Sequence, residues 1–229
     1  MKLRRFWERA APRTQPAAAG EAATTVPGGA WGEVARLFGW AAPPARTRRE
    51  RNGREASRAA SQATLRWVGA DGRIALREFH LESDADTVCA FQQDTYSLNF
   101  PEFQFTHGFA QAFRHDLLRA TLDNHHGLFV LDGGALEGQR AGLVGFLWVV
   151  ACENTWTSER YGYINNVYVA PDWRGQNLGA ELMAQADDFF RGRGIHRLRL
   201  TVTAANDAAT ALYHANGYRV TRWEMEKEL

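Results

Sequence analysis

The chain has 229 residues, 45% of them apolar, which is enough to build a core and excludes wholesale disorder. Two cysteines, Cys89 and Cys152, exclude a disulfide framework, seven scattered histidines offer no zinc-ligand spacing, and no apolar run nears the ~20 residues that span a bilayer. The net charge of +1 conceals a division: residues 1–70 hold 13 Lys and Arg against 5 Asp and Glu, a local balance of +8 that an acidic remainder of −7 offsets.

The start, MKLRRFWERAAPR, is basic but lacks the apolar middle of a secretory signal, so a cytoplasmic, reducing compartment is the expectation. Its Arg- and Ala-rich composition would also suit an organellar transit peptide. Residues 1–66 read as a flexible basic extension, because segments 10–30 and 43–62 have too few large apolar side chains to offset chain entropy. Within it, Trp31, Val34, Ala35 and Phe38 recur at helical spacing and predict a short helix over 31–40. The stretch RTRRERNGREASR could touch nucleic acid or an anionic membrane, but a charge run is more often a solvated tail.

From residue 72 the pattern is that of a globular domain. A strand is expected over 74–79, then a helix over 86–96 with Ser83 and Asp84 as caps. Residues 98–109 are irregular around Pro101, and an apolar stripe at 109, 113, 117, 118 and 122 predicts a second helix. Strands over 127–131 and 142–151 flank the turn-rich DGGALEGQRA, and a further strand covers 161–169. A helix over 178–191, a strand over 198–202, a helix over 207–216 and a closing strand or pair over 218–228 complete the order. Hairpins combined with one βαβ crossover imply an α/β fold with a mixed sheet.

The informative segment is YINNVYVAPDWRGQNLGAELMAQADDFF. A strand ends at Val169, a glycine-bearing polar loop follows, and a helix begins near Leu178. Unpaired amides and the positive dipole end at such a helix start suit a phosphate or pyrophosphate. Gly175 and Gly179 would let the backbone approach that ligand, and Arg174 adds a positive charge. The Gly-Lys-Ser/Thr of a nucleotide P-loop and the G-x-G-x-x-G of a dinucleotide fold are both absent. Downstream, in LRLTVTAANDAATALYHANGY, Asn206 stands where a helix cap belongs. Tyr213 lies nearly two turns further along the same face. The plain alternative is a capping asparagine and a buried tyrosine.

Together these segments resemble the GNAT superfamily of N-acetyltransferases, over about residues 72–229. The resemblance rests on V-x-P-x-x-R-G-x-x-L-G-x-x-L at 169–182 and N-x-x-A-x-x-L-Y-x-x-x-G-Y at 206–218. The usual first glycine of the loop signature is Asn177 here, a residue that tolerates positive φ. The resemblance implies a mixed, mostly antiparallel sheet with a central parallel strand pair and flanking helices. It implies that acetyl-CoA is the cosubstrate and that a primary amine, on a small molecule or a peptide, attacks the thioester directly. The pantetheine arm would lie in a splay beside the strand of Val167 and Val169, whose backbones would pair with it. Arg174, Gly175, Gln176, Asn177, Leu178, Gly179 and Ala180 would hold the pyrophosphate, and Asn206 would touch the pantetheine arm. A strand N–H near Val167 would stabilise the developing oxyanion, and Tyr213 would protonate the leaving thiolate.

The position at which many relatives carry a base falls on Tyr163, and no carboxylate lies between Arg160 and Val169. Glu159 is the nearest candidate base, against the reading that it is a solvated hairpin residue. The acceptor pocket is expected among Phe91, Tyr96, Phe100, Phe103, Phe105, Phe109, Phe113, Trp148 and Trp156, for an apolar or aromatic acceptor or a cation, with most of these rings in the core. His107, His115 and the pair His125–His126 lack metal spacing, so no metal is expected. No membrane span and no nucleic-acid partner are expected, and a homodimer is left open. The alternative reading is a noncatalytic acyl-CoA-binding or regulatory module whose basic arm engages nucleic acid.

Overall fold

The computed structural model describes residues 65–69, 72–136, 139–140, 142–225 and 227. The basic extension and the helix expected over 31–40 lie outside the described residues. The described residues form strands β1 (Arg66–Val68) and β2 (Ile74–Glu78), helices α1 (Leu81–Asn99) and α2 (Phe109–Thr121), and strand β3 (His126–Asp132). A small hairpin follows, β4 (Ala135–Leu136) with β5 (Gln139–Arg140), and then the long strands β6 (Leu143–Glu153) and β7 (Arg160–Val169). Helix α3 (Leu178–Arg191), strand β8 (Leu198–Arg199) and helix α4 (Asp207–Ala215) end the order.

Strands β1, β2, β3, β6, β7 and β8 lie side by side in that order, antiparallel except for the parallel pair β7 and β8. The sheet is sandwiched between two helical layers, as strand alternation dictates. Leu128, Val130, Phe146, Trp148 and Val150 face α1 and α2, with Val88, Phe113 and Leu117. Phe129, Leu131, Leu147 and Val149 face α3, with Leu182, Ala186 and Phe190. Trp148, Phe146 and Phe190 are almost wholly buried, and each such side chain contributes about 2–3 kcal/mol through apolar burial. The expected architecture, a mixed and mostly antiparallel sheet with flanking helices, is the one observed.

Three local expectations need correction. Helix α1 begins at Leu81, earlier than expected, because Asp84 works inside the first turn and not as its cap. The Asp84 carboxylate accepts the His80 amide at 2.8 Å and pairs with Arg77 at 2.7 Å, and Arg77 also holds Asp132. Strand β8 is two residues long where five were expected, since it pairs only with Gly162 and Tyr163. No strand forms over described residues 218–225, where Val220, Trp223 and Met225 stand exposed with no face to bury. The parallel pair, expected at the centre, therefore ends the sheet among the described residues.

Candidate functional site

The site begins with an irregularity in β7. Ile164 lies opposite Val149 and Asn166 opposite Trp148, so Asn165 is an extra residue that bulges the strand. A bulge increases local twist and turns its strand away from a neighbour. On the other side of β7, pairing with β8 covers Gly162 and Tyr163 and then stops. Beyond that point residues 164–169 have no strand beside them on this edge among the described residues. Backbone donors and acceptors on such an edge are obligatory hydrogen-bonding groups, so it suits an extended ligand arm that carries amides. The hydroxyl of Tyr163 donates to Thr201 Oγ1 at 3.1 Å and ties the two chains together where they part. The irregular backbone thus centres on Asn165, two residues before Val167. Val167 and Val169 turn half-buried side chains into the α3 layer, so that only their backbones face the gap.

The loop after β7 leaves the strand through a 3-10 turn, Pro171–Trp173. Gly175 then takes φ +77, where a Cβ would meet no neighbour, so glycine is needed here for its conformation alone. Asn177 is the N-cap of α3 in the left-handed region, φ 62 and ψ 8, and its side chain makes no cap bond. The amides of residues 176–180 consequently have no acceptor among the described residues. These donors lie at the start of α3, the positive end of its dipole, an arrangement that favours an anion. Arg174 donates through Nε to the Val169 carbonyl at 3.0 Å, which leaves its terminal nitrogens beside the loop. Leu178 buries its side chain in the core and offers only its amide. Gly179 has a role that the sequence did not reveal: a Cβ there would come within 3.1 Å of Leu212, so this glycine sets the close approach of α3 to α4.

Helix α4 carries the second half of the site. Asn206 caps it, accepting the Ala209 amide at 3.1 Å, and its Nδ2 donates to Asn99 Oδ1 at 3.0 Å. One side chain therefore joins the start of α4 to the end of α1. Tyr213 packs against the α3-side core, and its hydroxyl has no hydrogen-bond partner among the described residues. Burial first, and then the neighbouring Tyr163, push the Tyr213 phenol up to about 12. Tyr218, 6.0 Å from Tyr213 between ring centres, has a buried hydroxyl without a partner, and burial also pushes its pKa upward.

Glu159 stands elsewhere. Its carboxylate pairs with Arg197 and with Arg199, the latter at 3.1 Å. It precedes β7, so about 13 Å of strand separates it from Tyr163 and about 33 Å from Val169. The polar groups that do face β7 come from α1, and sequence reasoning missed them because their partners are some 74 residues away. Asn165 donates to Asn166 at 2.8 Å, and Asn166 donates to buried Gln92 at 2.6 Å. Tyr168 stacks on Phe91 at 4.4 Å and donates to Asp94 at 2.7 Å. Burial, followed by that carboxylate, pushes the Tyr168 phenol up to about 12. Asp94, Ser97, Leu98, Tyr168, Pro171 and Arg174 line a cavity of about 350 Å³ next to the loop.

The aromatic residues divide. Phe91, Phe113 and Trp148 are core, Trp156 is almost fully exposed in the β6–β7 hairpin, and the remaining five gather where α1 meets α2. His126 accepts the Trp148 indole N–H at 3.0 Å, and burial pulls its pKa down to about 4. Among the described residues no group of three or more His, Cys, Asp or Glu is placed to hold a metal, and no helix is long and apolar enough to cross a membrane.

A family model described as the acetyltransferase (GNAT) family matches residues 90–218, which include both halves of the site. An uncharacterized N-acetyltransferase of Bacillus subtilis is 31% identical over 115 residues, half of this chain and 69% of that protein. Thialysine N-epsilon-acetyltransferase of Sus scrofa is 30% identical over 83 residues, 36% of this chain, which spans about half (48%) of the pig protein's length. Among solved structures, a predicted acetyltransferase from Clostridium acetobutylicum with acetyl-CoA superposes with a TM-score of 0.55 at 14% identity. That match covers 68% of this chain and 96% of that one, and shows a shared fold.

Proposed function

The chain belongs to the GNAT family of acetyltransferases, and on that premise we propose that it transfers the acetyl group of acetyl-CoA to a primary amine by direct attack. The observation that carries this reading is the row of amides at 176–180, unpaired among the described residues, at the end of a strand edge that has no neighbour among them. A diphosphate takes the amides and the Arg174 guanidinium, and the backbone of Val167 and Val169 pairs with the amide-bearing arm that follows. Asn206, already held by Asn99 and Ala209, braces the far wall of the gap. The coenzyme supplies a thioester carbonyl, and the irregular backbone from Asn165 to Val167 turns an N–H toward the oxygen on which negative charge develops.

Tyr213 acts as the acid at the departing sulfur. A phenol at about 12 keeps its proton at every physiological pH. An ordinary thiol titrates near ~8.5, so the protonated Tyr213 phenol serves by donating a hydrogen bond to the sulfur as its charge develops and by supplying the proton that the thiol takes. We assign Glu159 to holding Arg197 and Arg199 at the β7–β8 junction. With no carboxylate on β7 between Arg160 and Val169, the attacking amine gives up its proton through water.

The test is calorimetric titration with acetyl-CoA, followed by thiol release with a panel of primary amines. Micromolar binding that weakens at least tenfold in Arg174→Ala, together with amine-dependent thiol release, is the expected result. Folded protein that neither binds acetyl-CoA nor releases thiol overturns the reading.

A further inference from the structure

Helix α1 presents one stripe to the gap. Gln92 on that stripe reaches Asn166 at the bulge, and Asn99, seven residues on, reaches the Asn206 cap of α4. Residues at i, i+4 and i+7 of a helix share a face, so Tyr96, between these two anchors, faces the gap as well. Tyr96 is also the hub of a ring cluster. Phe100, Phe103 and Phe109 lie 5.4, 5.0 and 5.2 Å from it between ring centres, and Phe105 packs edge-on to Phe103 and Phe109 at 5.2 and 4.9 Å. The cluster is only partly covered: Phe100 is 53% exposed, and Phe103 and Phe105 are 38% exposed.

Three of the five rings thus stand substantially in water, and a contiguous apolar patch of this kind marks a binding surface. Its chemistry selects the occupant. Over residues 96–109 the acidic or basic side chains besides the Tyr96 phenol are Glu102 and His107, so this stretch offers a polycation or an amino-acid zwitterion no matching set of charges. The one carboxylate further back on α1 near the gap, Asp94, is engaged by Tyr168 on the loop side. We propose that the acyl acceptor is a primary amine carried on an aromatic body, and that this body seats on the rings gathered around Tyr96 with its nitrogen directed at the bulge of β7. The proposal rests on the acetyl-transfer reading. In the step it serves, the amine nitrogen forms the amide C–N bond, the thioester C–S bond breaks, and the proton lost by the amine is balanced by the one gained by the thiol.

Two measurements test it on the full chain. The first compares benzylamine with ethanolamine, amines of similar basicity, in the thiol-release assay. The expected KM is at least tenfold lower for benzylamine, and Phe103→Ala removes most of that preference while Phe103→Leu restores part of it. Calorimetry with acetyl-CoA on the same variants reports whether the loop and gap are intact. The second measures binding of benzylamine without acetyl-CoA, as wild type and as Phe103→Ala. Ring-dependent binding without turnover supports the aromatic seat and sinks the transfer reading. Turnover with equal KM for the two amines, or a Phe103→Ala effect equal on both, overturns the aromatic seat and leaves acetyl transfer standing. Neither binding nor turnover overturns both.

Discussion

Replacing Tyr213 with Phe removes one oxygen from a half-buried ring and nothing else. That hydroxyl has no hydrogen-bond partner among the described residues, so its loss leaves no group of the protein orphaned. The folded state should therefore change by no more than about 1 kcal/mol, or about 3 °C in Tm for a domain of this size. Catalysis should change far more. A positioned general acid is worth ~10²–10⁴ in rate, about 3–5 kcal/mol of barrier. We expect kcat to fall at least ~100-fold in Tyr213→Phe, with acetyl-CoA affinity within about threefold of wild type. The wild-type pH profile carries a second signature. Activity rises with pH as the amine loses its proton, and because Tyr213 holds its own proton to about 12, no alkaline fall appears before pH ~10. The assay is thiol release across pH with acetyl-CoA saturating, alongside calorimetry and thermal melts. A variant that keeps a third or more of wild-type kcat would refute the acid role. So would a loss of rate that merely tracks a loss of fold or of coenzyme binding.

Asn177 holds a left-handed backbone that glycine adopts freely and alanine resists by about 1 kcal/mol. Asn177→Gly should keep acetyl-CoA affinity within about twofold and Asn177→Ala should lower it about fivefold; equal affinities by calorimetry would show that the loop does not depend on this conformation. Glu159→Gln removes partly exposed ion pairs with Arg197 and Arg199, so stability should fall by less than about 1 kcal/mol and kcat should keep its pH profile. A ~100-fold loss of kcat in that variant would instead make Glu159 the base. His126 is held neutral down to about 4 while its unfolded counterpart protonates near ~6.5, so the unfolded chain binds the extra proton between those values and stability falls as pH drops through them. Urea unfolding should show about 2 kcal/mol lost between pH 7.5 and pH 5, and about 3 kcal/mol in all. A flat stability profile over that range would contradict the buried, indole-bonded imidazole.

The features legible in the sequence are those that short stretches of chain decide for themselves. The apolar stripe of α3, Leu178, Leu182, Ala186 and Phe189, follows from the helix period, and the unbroken apolar runs of β3 and β6 mark strands buried on both faces. The glycine-bearing turn, its left-handed Asn177 and the Asn206 cap follow from backbone preferences of single residues. Other features depend on which residues meet across the fold. The bulge at Asn165 exists only against β6, and the gap lies where the pairing of β7 with β8 stops after Tyr163. Gln92 and Asn99 acquire meaning from partners 74 and 107 residues away. Gly179 meets Leu212 across the fold, and the Glu159 carboxylate meets Arg197 and Arg199, contacts that no local stretch of sequence announces. A turn or a cap is stabilised by neighbours in the chain and can be read from them. A strand edge without a partner, or a polar side chain's true partner, is set by long-range packing, so the glycine-bearing loop was decided by the sequence alone and the gap beside it by the tertiary structure.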